Sequence, residues 1–305
     1  MARLLFFGTP DYARIILQGL LQRPDLVIRV VTKPDTPQGR RLKLTPSPVA
    51  QLALASGLDT DRPEKLPQRR EAWEEFAPDL IVTAAFGKIL RPWLLQLPAR
   101  GAFNLHASLL PRWRGPNPIA WAIRAGDQST GVTLMAMDEG VDTGAVAACA
   151  AVPIAPSATL GSLTEELAQA ARALVLENLD QMLAGRLALS PQSGVGATYA
   201  GKFDAADARI AWTAPAREID RLVRSMSPDP GAYTLCCGVR IKITDSAYDE
   251  GEETPGSVTL AGNVWRVGTA RGVLVVQKIK PAGRKEMTPG DFMRGLHARG
   301  EVVCE

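Results

Sequence analysis

Short apolar runs alternate with segments of helical periodicity through the first half of the chain. The runs LLFF, LVIRVV, DLIVTAA and GAFNLHA have the length of buried strands, and residues 12–21, 48–57 and 119–125 repeat their apolar positions as helices do. Buried strands that alternate with helices are typical of a parallel, doubly wound sheet. The pattern therefore predicts an α/β domain with a Rossmann-like, mostly parallel sheet.

The pattern changes in the second half of the chain. An amphipathic helix is predicted over residues 162–183, and the stretch ALSPQSGVGAT that follows it has the Ser, Gly and Pro content of a linker. Beyond residue 205, the segments GAYTLCCGVRIKIT, GSVTL, WRVGTARGVLVVQKI and GEVVCE predict short strands with glycine turns, as in a small β-barrel. We therefore predict one domain over residues 1–189, a linker over 190–204 and a second domain over 205–305.

The composition of the 305 residues is that of an ordinary globular protein, with 46% hydrophobic and 22% charged residues. A net charge of +3 neither requires nor excludes a nucleic-acid partner. Four cysteines without CxxC spacing and only two histidines argue against a zinc site or a disulfide framework. The apolar run at the start is broken at Gly8, and no window is long enough to span a membrane, so we expect a cytoplasmic protein.

Polar residues with catalytic potential occur where the fourth predicted strand ends. An α/β sheet binds its ligands at the carboxyl ends of its strands. The first predicted strand ends at GTPDYA, which fits neither a dinucleotide nor a P-loop motif, so we interpret it as a tight turn. In the fourth, Asn104 and His106 are two residues apart and face the same side. Both can donate hydrogen bonds to a developing oxyanion, although the spacing alone fits a structural histidine equally well.

An acidic loop, MDEGVDTGAV, follows the next apolar run, GVTLMAM. If that run forms a strand beside the fourth one, the loop lies over Asn104 and His106. A carboxylate such as Asp142 would then favour the charged imidazolium and fix its orientation. The alternative is a glycine-rich turn with solvated acids.

These segments resemble a known family over nearly the whole chain. The motifs FFGTPDYA, KPDTPQGRRLKLTPSPV, AAFGKIL, NLHASLLPRWRGPNPI, GVTLMAMDEGVDTG and KPAGRKEM are similar to those of the bacterial methionyl-tRNA formyltransferases, which use 10-formyltetrahydrofolate. The SLLP and D-x-G-x-D-T-G elements are shared by the wider family of formyltetrahydrofolate enzymes, whereas the LTPSPV and LLPRWRG segments together are much more specific to the tRNA enzymes. The chain departs from the family at Phe86, usually Tyr, and at Ala107, usually Gly.

The resemblance implies transfer of a formyl group from 10-formyltetrahydrofolate to the α-amino group of initiator methionyl-tRNA, without a metal, a membrane or a protein partner. Residues 1–189 would be the formyltransferase catalytic domain, and residues 205–305 an OB-like, tRNA-binding barrel. Carried over by position, Asn104, His106 and Asp142 would be the catalytic residues. The first two would donate to the oxyanion, and Asp142 would keep His106 charged.

Two walls of a folate site follow from the same resemblance. A proline-ended apolar turn offers a flat wall and free backbone groups, although ordinary packing at strand ends would look similar. The residues expected to bind the formyl donor are Phe86, Gly87, Lys88, Ile89 and Leu90 on one side and Ser108, Leu109, Leu110 and Pro111 on the other.

Two basic segments would contact the tRNA. One is the proline- and glycine-rich stretch after the second predicted strand, which is expected at the active edge of the sheet unless it is only a solvated surface loop. The other lies around KPAGRKEM. The residues expected to contact tRNA are Arg40, Arg41, Lys43, Lys278, Lys280, Arg284 and Lys285.

Two other functions compete with this prediction. One is formyl transfer from the same donor to a sugar nucleotide, a purine precursor amine or water, against which the LTPSPV loop and the C-terminal barrel argue. The other is a folate- or RNA-binding regulator without turnover, against which the Asn104, His106 and Asp142 set argues.

Overall fold

A computed structural model describes residues 1–38, 42–295 and 303–304. The chain forms two compact units. The first consists of Met1–Pro118, Ser129–Pro153 and Thr164–Ala200, and the second of Ile119–Gln128, Ile154–Leu163 and Gly201–Glu305. The domain limits drawn from the sequence, at residues 189 and 205, stay a prediction.

The first unit is built on a seven-stranded sheet with the order β5-β2-β1-β6-β7-β8-β9. Its strands are β1 (Ala2–Gly8), β2 (Leu26–Val31), β5 (Thr60–Asp61), β6 (Leu80–Ala84), β7 (Ala102–His106), β8 (Ser129–Ala136) and β9 (Val146–Pro153). The first five pair in parallel, and β8 and β9 pair antiparallel. A separate hairpin joins β3 (Thr36–Gln38) and β4 (Lys43–Thr45).

Burial of both faces explains why these strands are apolar runs. Every residue of β6 is buried, as are Leu4, Leu5, Phe6 and Phe7 of β1. A parallel sheet covered on both sides requires such continuous apolar strands. The fold class predicted from the alternation of strands and helices is therefore confirmed.

Of the six α-helices described before residue 190, four lie where the sequence predicts them, and the two short ones at Arg70–Phe76 and Pro92–Leu95 were not predicted. They are α1 (Asp11–Leu20), α2 (Pro48–Ala55), α3 (Arg70–Phe76), α4 (Pro92–Leu95), α5 (Pro118–Ala125) and α6 (Leu160–Leu183). Helix α2 begins where Ser47 accepts a hydrogen bond from the Ala50 N–H, with Pro48 in the first turn. Both are common helix-start signals, because they satisfy or remove a backbone donor without a partner. Within the described residues, no helix has the length and apolar character needed to cross a membrane.

The second unit contains a curled, five-stranded antiparallel sheet, a half-barrel, with the order β10-β11-β14-β13-β12. Its elements are α7 (Ala216–Met226), β10 (Tyr233–Cys236), β11 (Val239–Asp249), β12 (Val258–Ala261), β13 (Val264–Gly268), β14 (Val273–Pro281) and α8 (Pro289–Arg294). The register of β11 shifts between Ile243 and Ser246, and bulges of this kind bend a strand. Trp265 and Phe292 pack edge to face in its core. Of the predicted strand GEVVCE, only Val303 and Cys304 lie within the described residues.

Candidate active site

Asn104 is held by a side chain of the neighbouring strand. Thr83 of β6 and Asn104 of β7 are paired in register, so the two side chains lie on the same face of the sheet. The Thr83 hydroxyl donates a hydrogen bond of 2.7 Å to Oδ1 of Asn104. With Oδ1 accepting this bond, Nδ2 of Asn104 is left as a donor. Among the described residues, none accepts a hydrogen bond from Nδ2, so this group is available to a substrate oxygen.

His106, at the end of β7, is buried between two acceptors. Its Nε2 lies 2.8 Å from the backbone carbonyl oxygen of Trp113, and its Nδ1 lies 3.5 Å from Oδ1 of Asp142. A carbonyl only accepts hydrogen bonds, so Nε2 carries a proton in this arrangement. Two acceptors facing both ring nitrogens suit the doubly protonated imidazolium.

Asp142 reaches His106 because its loop folds back over the sheet. Strand β8 is next to β7, as the sequence argument requires, but runs antiparallel to it. The loop after β8 therefore starts beside Phe103 and returns along β7. Oδ2 of Asp142 accepts a 2.8 Å hydrogen bond from the Gly115 N–H, which orients the other carboxylate oxygen toward the imidazole.

The SLLP segment forms a turn that closes on itself. Ser108 is fully buried, and its hydroxyl donates to the carbonyl oxygen of Arg112 at 2.6 Å. Thr133 of β8 donates to the Ser108 carbonyl and accepts from the Leu110 N–H. The peptide bond between Leu110 and Pro111 is cis. The Ser108 side chain therefore shapes the turn, and Leu109, Leu110 and Pro111 are the partly exposed residues.

The second predicted wall, residues 86–90, is divided between core and surface. Phe86 is 4% exposed and packs edge to face on Phe7, with ring centroids 5.1 Å apart, and Leu90 is buried in the same cluster. Ile89 is 75% exposed. Lys88 donates to the carbonyl oxygens of Pro63 and Glu64. A ligand on this side would meet Ile89 and the backbone at Gly87.

The stretch predicted to be a linker contributes residues to this site. Gln192 donates from Nε2 to the carbonyl oxygens of Asp142 and Gly144, and its Oε1 accepts from the Arg114 guanidinium. Thr198 accepts from the Trp113 N–H through its hydroxyl. The composition of this stretch predicted only a loop, and Gln192 does not belong to a motif that would identify it as a site residue.

The predicted basic residues are not all described. Arg40 and Arg41 lie outside the described residues, and Lys43 is an exposed residue of β4. In the second unit, Lys278 and Lys280 alternate with buried Ile279 along β14, so both point outward, and Arg284 and Lys285 are exposed just beyond it. Within the part of the chain that the structure describes, no cluster of three or more His, Cys, Asp or Glu residues could hold a metal ion.

Two family models match the chain. The formyl transferase model covers residues 2–179, and the formyl transferase C-terminal domain model covers residues 202–297. A methionyl-tRNA formyltransferase of Aromatoleum aromaticum is 43% identical over 299 residues, which cover 96% of this chain and 94% of the relative. The chain belongs to the methionyl-tRNA formyltransferase family. Another member, from Symbiobacterium thermophilum, is 42% identical, with 97% of this chain and 93% of the relative covered.

Solved structures show the fold of this formyltransferase family member in more distant proteins. The N-formyltransferase of Helicobacter canadensis, in complex with folinic acid and dTDP-3-aminofucose, has a TM-score of 0.69 at 17% identity and covers 91% of this chain and 99% of its own. HypX of Aquifex aeolicus in complex with tetrahydrofolic acid has a TM-score of 0.68 at 18% identity, covering 99% of this chain and 50% of its own.

Proposed function

We propose that this protein transfers the formyl group of 10-formyltetrahydrofolate to the α-amino group of methionyl-initiator tRNA. The proposal rests on the placement of Asn104, His106 and Asp142. The first two face the same side of strand β7, and Asp142 lies beside the imidazole of His106. The relatives that share 39–43% of their residues with the chain are named for the same reaction. Such a product serves the start of translation, which takes place in the cytoplasm.

Formyltetrahydrofolate supplies a carbonyl carbon that the free amine of the methionyl ester attacks. Negative charge then develops on the formyl oxygen, and fixed donors aimed at that oxygen stabilise the transition state. Asn104 is suited to be one donor, because Thr83 holds its Oδ1 and leaves Nδ2 to donate.

His106 would be the second donor once the substrates are in place. Its Nε2 proton is bound to the Trp113 carbonyl in the structure, so donation to the formyl oxygen requires exchange of one acceptor for the other. Asp142 stays beside Nδ1 and stabilises the positive charge of the ring during the exchange. The amine nitrogen loses a proton when the C–N bond to the folate breaks, the leaving folate nitrogen gains one, and Asp142 would help to pass this proton from one to the other.

The formyl donor would lie between the SLLP turn and residues 86–90. Leu109, Leu110 and Pro111 present a partly apolar surface on one side, and exposed Ile89 lies on the other. Partly exposed apolar side chains on both sides suit a flat heteroaromatic ring. Ser108, Phe86, Lys88 and Leu90 would shape these walls through their contacts within the protein.

The tRNA would be held by exposed cations. Lys43 of β4, together with Arg40 and Arg41, would bind the acceptor end of the tRNA near the active site. Lys278, Lys280, Arg284 and Lys285 would contact phosphates from the second unit, positioning the tRNA without reading its sequence.

The experiment is a formylation assay with the purified full-length protein, 10-formyltetrahydrofolate and initiator methionyl-tRNA, followed for formyl-methionine. We expect turnover by the wild type and a fall in kcat of at least about 100-fold in Asn104→Ala, His106→Asn and Asp142→Asn, the scale seen when one oxyanion donor is lost. Thermal unfolding checks that each variant folds.

A parallel reaction with a nucleotide-linked amino sugar tests the competing formyltransferase activity. Formylation of the sugar and not of the tRNA would assign the chain a different substrate. Donor binding without any turnover would support a regulator.

A further inference from the structure

The segment 190–200 crosses both loops that hold His106. Ser190 and Val146 exchange backbone hydrogen bonds at one end, and Arg114 and Ala200 are linked by a backbone bond at the other. Between them, Gln192 bonds to the loop of Asp142 and to Arg114. The loop of Arg114 holds Nε2 of His106 through Trp113, and the loop of Asp142 faces Nδ1.

We propose that Gln192 is a positioning residue for formyl transfer, acting on His106 through Asp142. Its amide has a defined orientation, because each end has partners of the matching type. Nε2 donates to the carbonyl oxygens of Asp142 at 3.0 Å and of Gly144 at 2.7 Å. Oε1 accepts from Nε and Nη2 of Arg114 at 3.2 and 2.8 Å.

The hydrogen bond from Gln192 holds the backbone of Asp142 in an unfavourable conformation. Asp142 has φ of 53°, in the left-handed region that non-glycine residues rarely occupy. A conformation of this kind persists only where surrounding contacts hold it. Gln192 binds the carbonyl of Asp142 itself, while the Gly115 N–H binds its carboxylate. The two bonds together fix the carboxylate relative to His106.

Gln192 also ties the two loops to each other. Arg114 is adjacent to Trp113, whose carbonyl accepts the Nε2 proton of His106, and Gly115 follows directly. One amide therefore connects the acceptors on both sides of the imidazole. Because catalytic geometry is sensitive to displacements of about 1 Å, which can change rates by about 100-fold, loosening this connection affects kcat.

This inference rests on the proposed function, and its test uses a double-mutant cycle. The kcat and the KM for 10-formyltetrahydrofolate are measured for the wild type, Gln192→Met, Asp142→Asn and the double variant, with initiator methionyl-tRNA as acceptor. We expect Gln192→Met to lower kcat about 10- to 100-fold and to leave the KM for the donor within about twofold. In the Asp142→Asn background the same substitution should change kcat less than about threefold, because its route to His106 is already lost.

Gln192→Glu separates the two halves of the amide. It keeps the acceptor for Arg114 but places a carboxylate against the carbonyls of Asp142 and Gly144, so we expect at least as large a fall in kcat as in Gln192→Met. Gln181→Met is the matched control, because Gln181 is exposed on α6, and the kcat of this variant should equal that of the wild type.

Two results would overturn the positioning role. One is a wild-type kcat in Gln192→Met, and the other is a fall in kcat of the double variant equal to the product of the falls in the two single variants. Absence of formyl-methionine with the wild type would instead contradict the proposed function. If Gln192→Met does not fold, as judged by thermal unfolding, the same cycle with Gln192→Glu decides.

Discussion

Two of the six described non-glycine residues with a positive φ lie directly beside His106. Trp113 has φ of 60° and Asp142 has φ of 53°, and Ala85, at the end of β6, has φ of 44°. Such residues cost about 1–3 kcal/mol each and persist where neighbours impose them. Trp113 is held by the hydroxyl of Thr198 at its N–H and by His106 at its carbonyl. Trp113 and Asp142 are thus both held in strained conformations, and both present an acceptor to the imidazole.

Thr83 provides a direct test of how Asn104 is oriented. Its hydroxyl is a hydrogen-bond donor to the amide oxygen, and the residue is buried. Thr83→Val removes the hydroxyl with little change of shape, so the Asn104 amide is free to rotate. We expect kcat to fall about tenfold, the equivalent of one hydrogen bond of about 1.4 kcal/mol.

Thr83→Ser is the control for that substitution, because it keeps the hydroxyl and loses only a methyl group. Its kcat should stay within about threefold of the wild type, since a hydroxyl can still donate to Oδ1. Equal losses in the two variants, measured in the formylation assay, would show that packing and not the hydrogen bond matters.

At the scale of elements, apolar runs and helical periodicity predicted most strands of the large sheet and four of its helices, but not β5, β9, α3 or α4. Strands β1, β2, β6 and β7 and helices α1, α2, α5 and α6 lie where apolar runs and helical repeats indicated them. The antiparallel direction of β8 was not predictable in this way, because an apolar run is the same in both directions. The register that pairs Thr83 with Asn104 was also hidden, since it depends on two strands distant in sequence.

Segment 190–200 shows what amino-acid composition can and cannot predict. Ser, Gly and Pro indicate irregular backbone, and the segment is irregular apart from isolated bridges at Ser190 and Tyr199. Composition does not indicate what an irregular segment contacts. Gln192 acquires its partners only because the loops of Arg114 and Asp142 are brought together by the sheet. Asn104, His106 and Asp142 could be named beforehand because they occur in motifs.

Tyr12 links helix α1 to strand β7. Its hydroxyl donates to the carbonyl oxygen of Leu105, between Asn104 and His106, and the ring is 4% exposed. Burial raises the pKa of the Tyr12 hydroxyl. An unfolded tyrosine ionises near pH 10. Above about pH 10, Tyr12 therefore ionises in the unfolded chain and stabilises it, whereas buried Tyr12 stays neutral in the folded chain.

We therefore expect the free energy of unfolding to fall by up to ~1.4 kcal/mol per pH unit from this residue above about pH 10, and to be unaffected by it below. Tyr12→Phe should be about 1 kcal/mol less stable at neutral pH, because a hydrogen bond is lost, yet decline less steeply in alkali. Thermal unfolding between pH 8 and 11 measures this. Tyr248→Phe, at a 48% exposed site, should keep the wild-type profile, and an identical alkaline decline in Tyr12→Phe would contradict the assignment.

At the scale of the whole molecule, the two units are expected to serve different substrates. Lys278 and Lys280 lie on the outer face of β14, far along the chain from the residues proposed for the formyl donor. Replacing both with Ala should lower kcat/KM for the tRNA and leave the KM for 10-formyltetrahydrofolate unchanged. The slope of log affinity against log salt should become shallower by up to ~1.8, since each duplex phosphate contact contributes about 0.9.

The measurement is tRNA affinity at several salt concentrations, together with formylation kinetics. Lys65→Ala is the control, because Lys65 is an exposed lysine of the first unit outside the proposed tRNA contacts. An unchanged salt slope in the Lys278 and Lys280 variant would remove β14 from the tRNA surface.

The hydrogen bond between His106 and the Trp113 carbonyl has a consequence for the state in which the formyl donor is bound but no tRNA is. A molecule that holds its formyl donor is surrounded by water, which can attack a formyl carbon and waste it as formate. While Nε2 of His106 is hydrogen-bonded to Trp113, the formyl oxygen lacks one of its two proposed donors, so the carbon is less electrophilic. Docking of the large acceptor can displace that bond, whereas a water molecule brings little binding energy to do so. On the proposed mechanism, the carbonyl that accepts the Nε2 proton would thus also slow hydrolysis of the bound donor until the amine arrives.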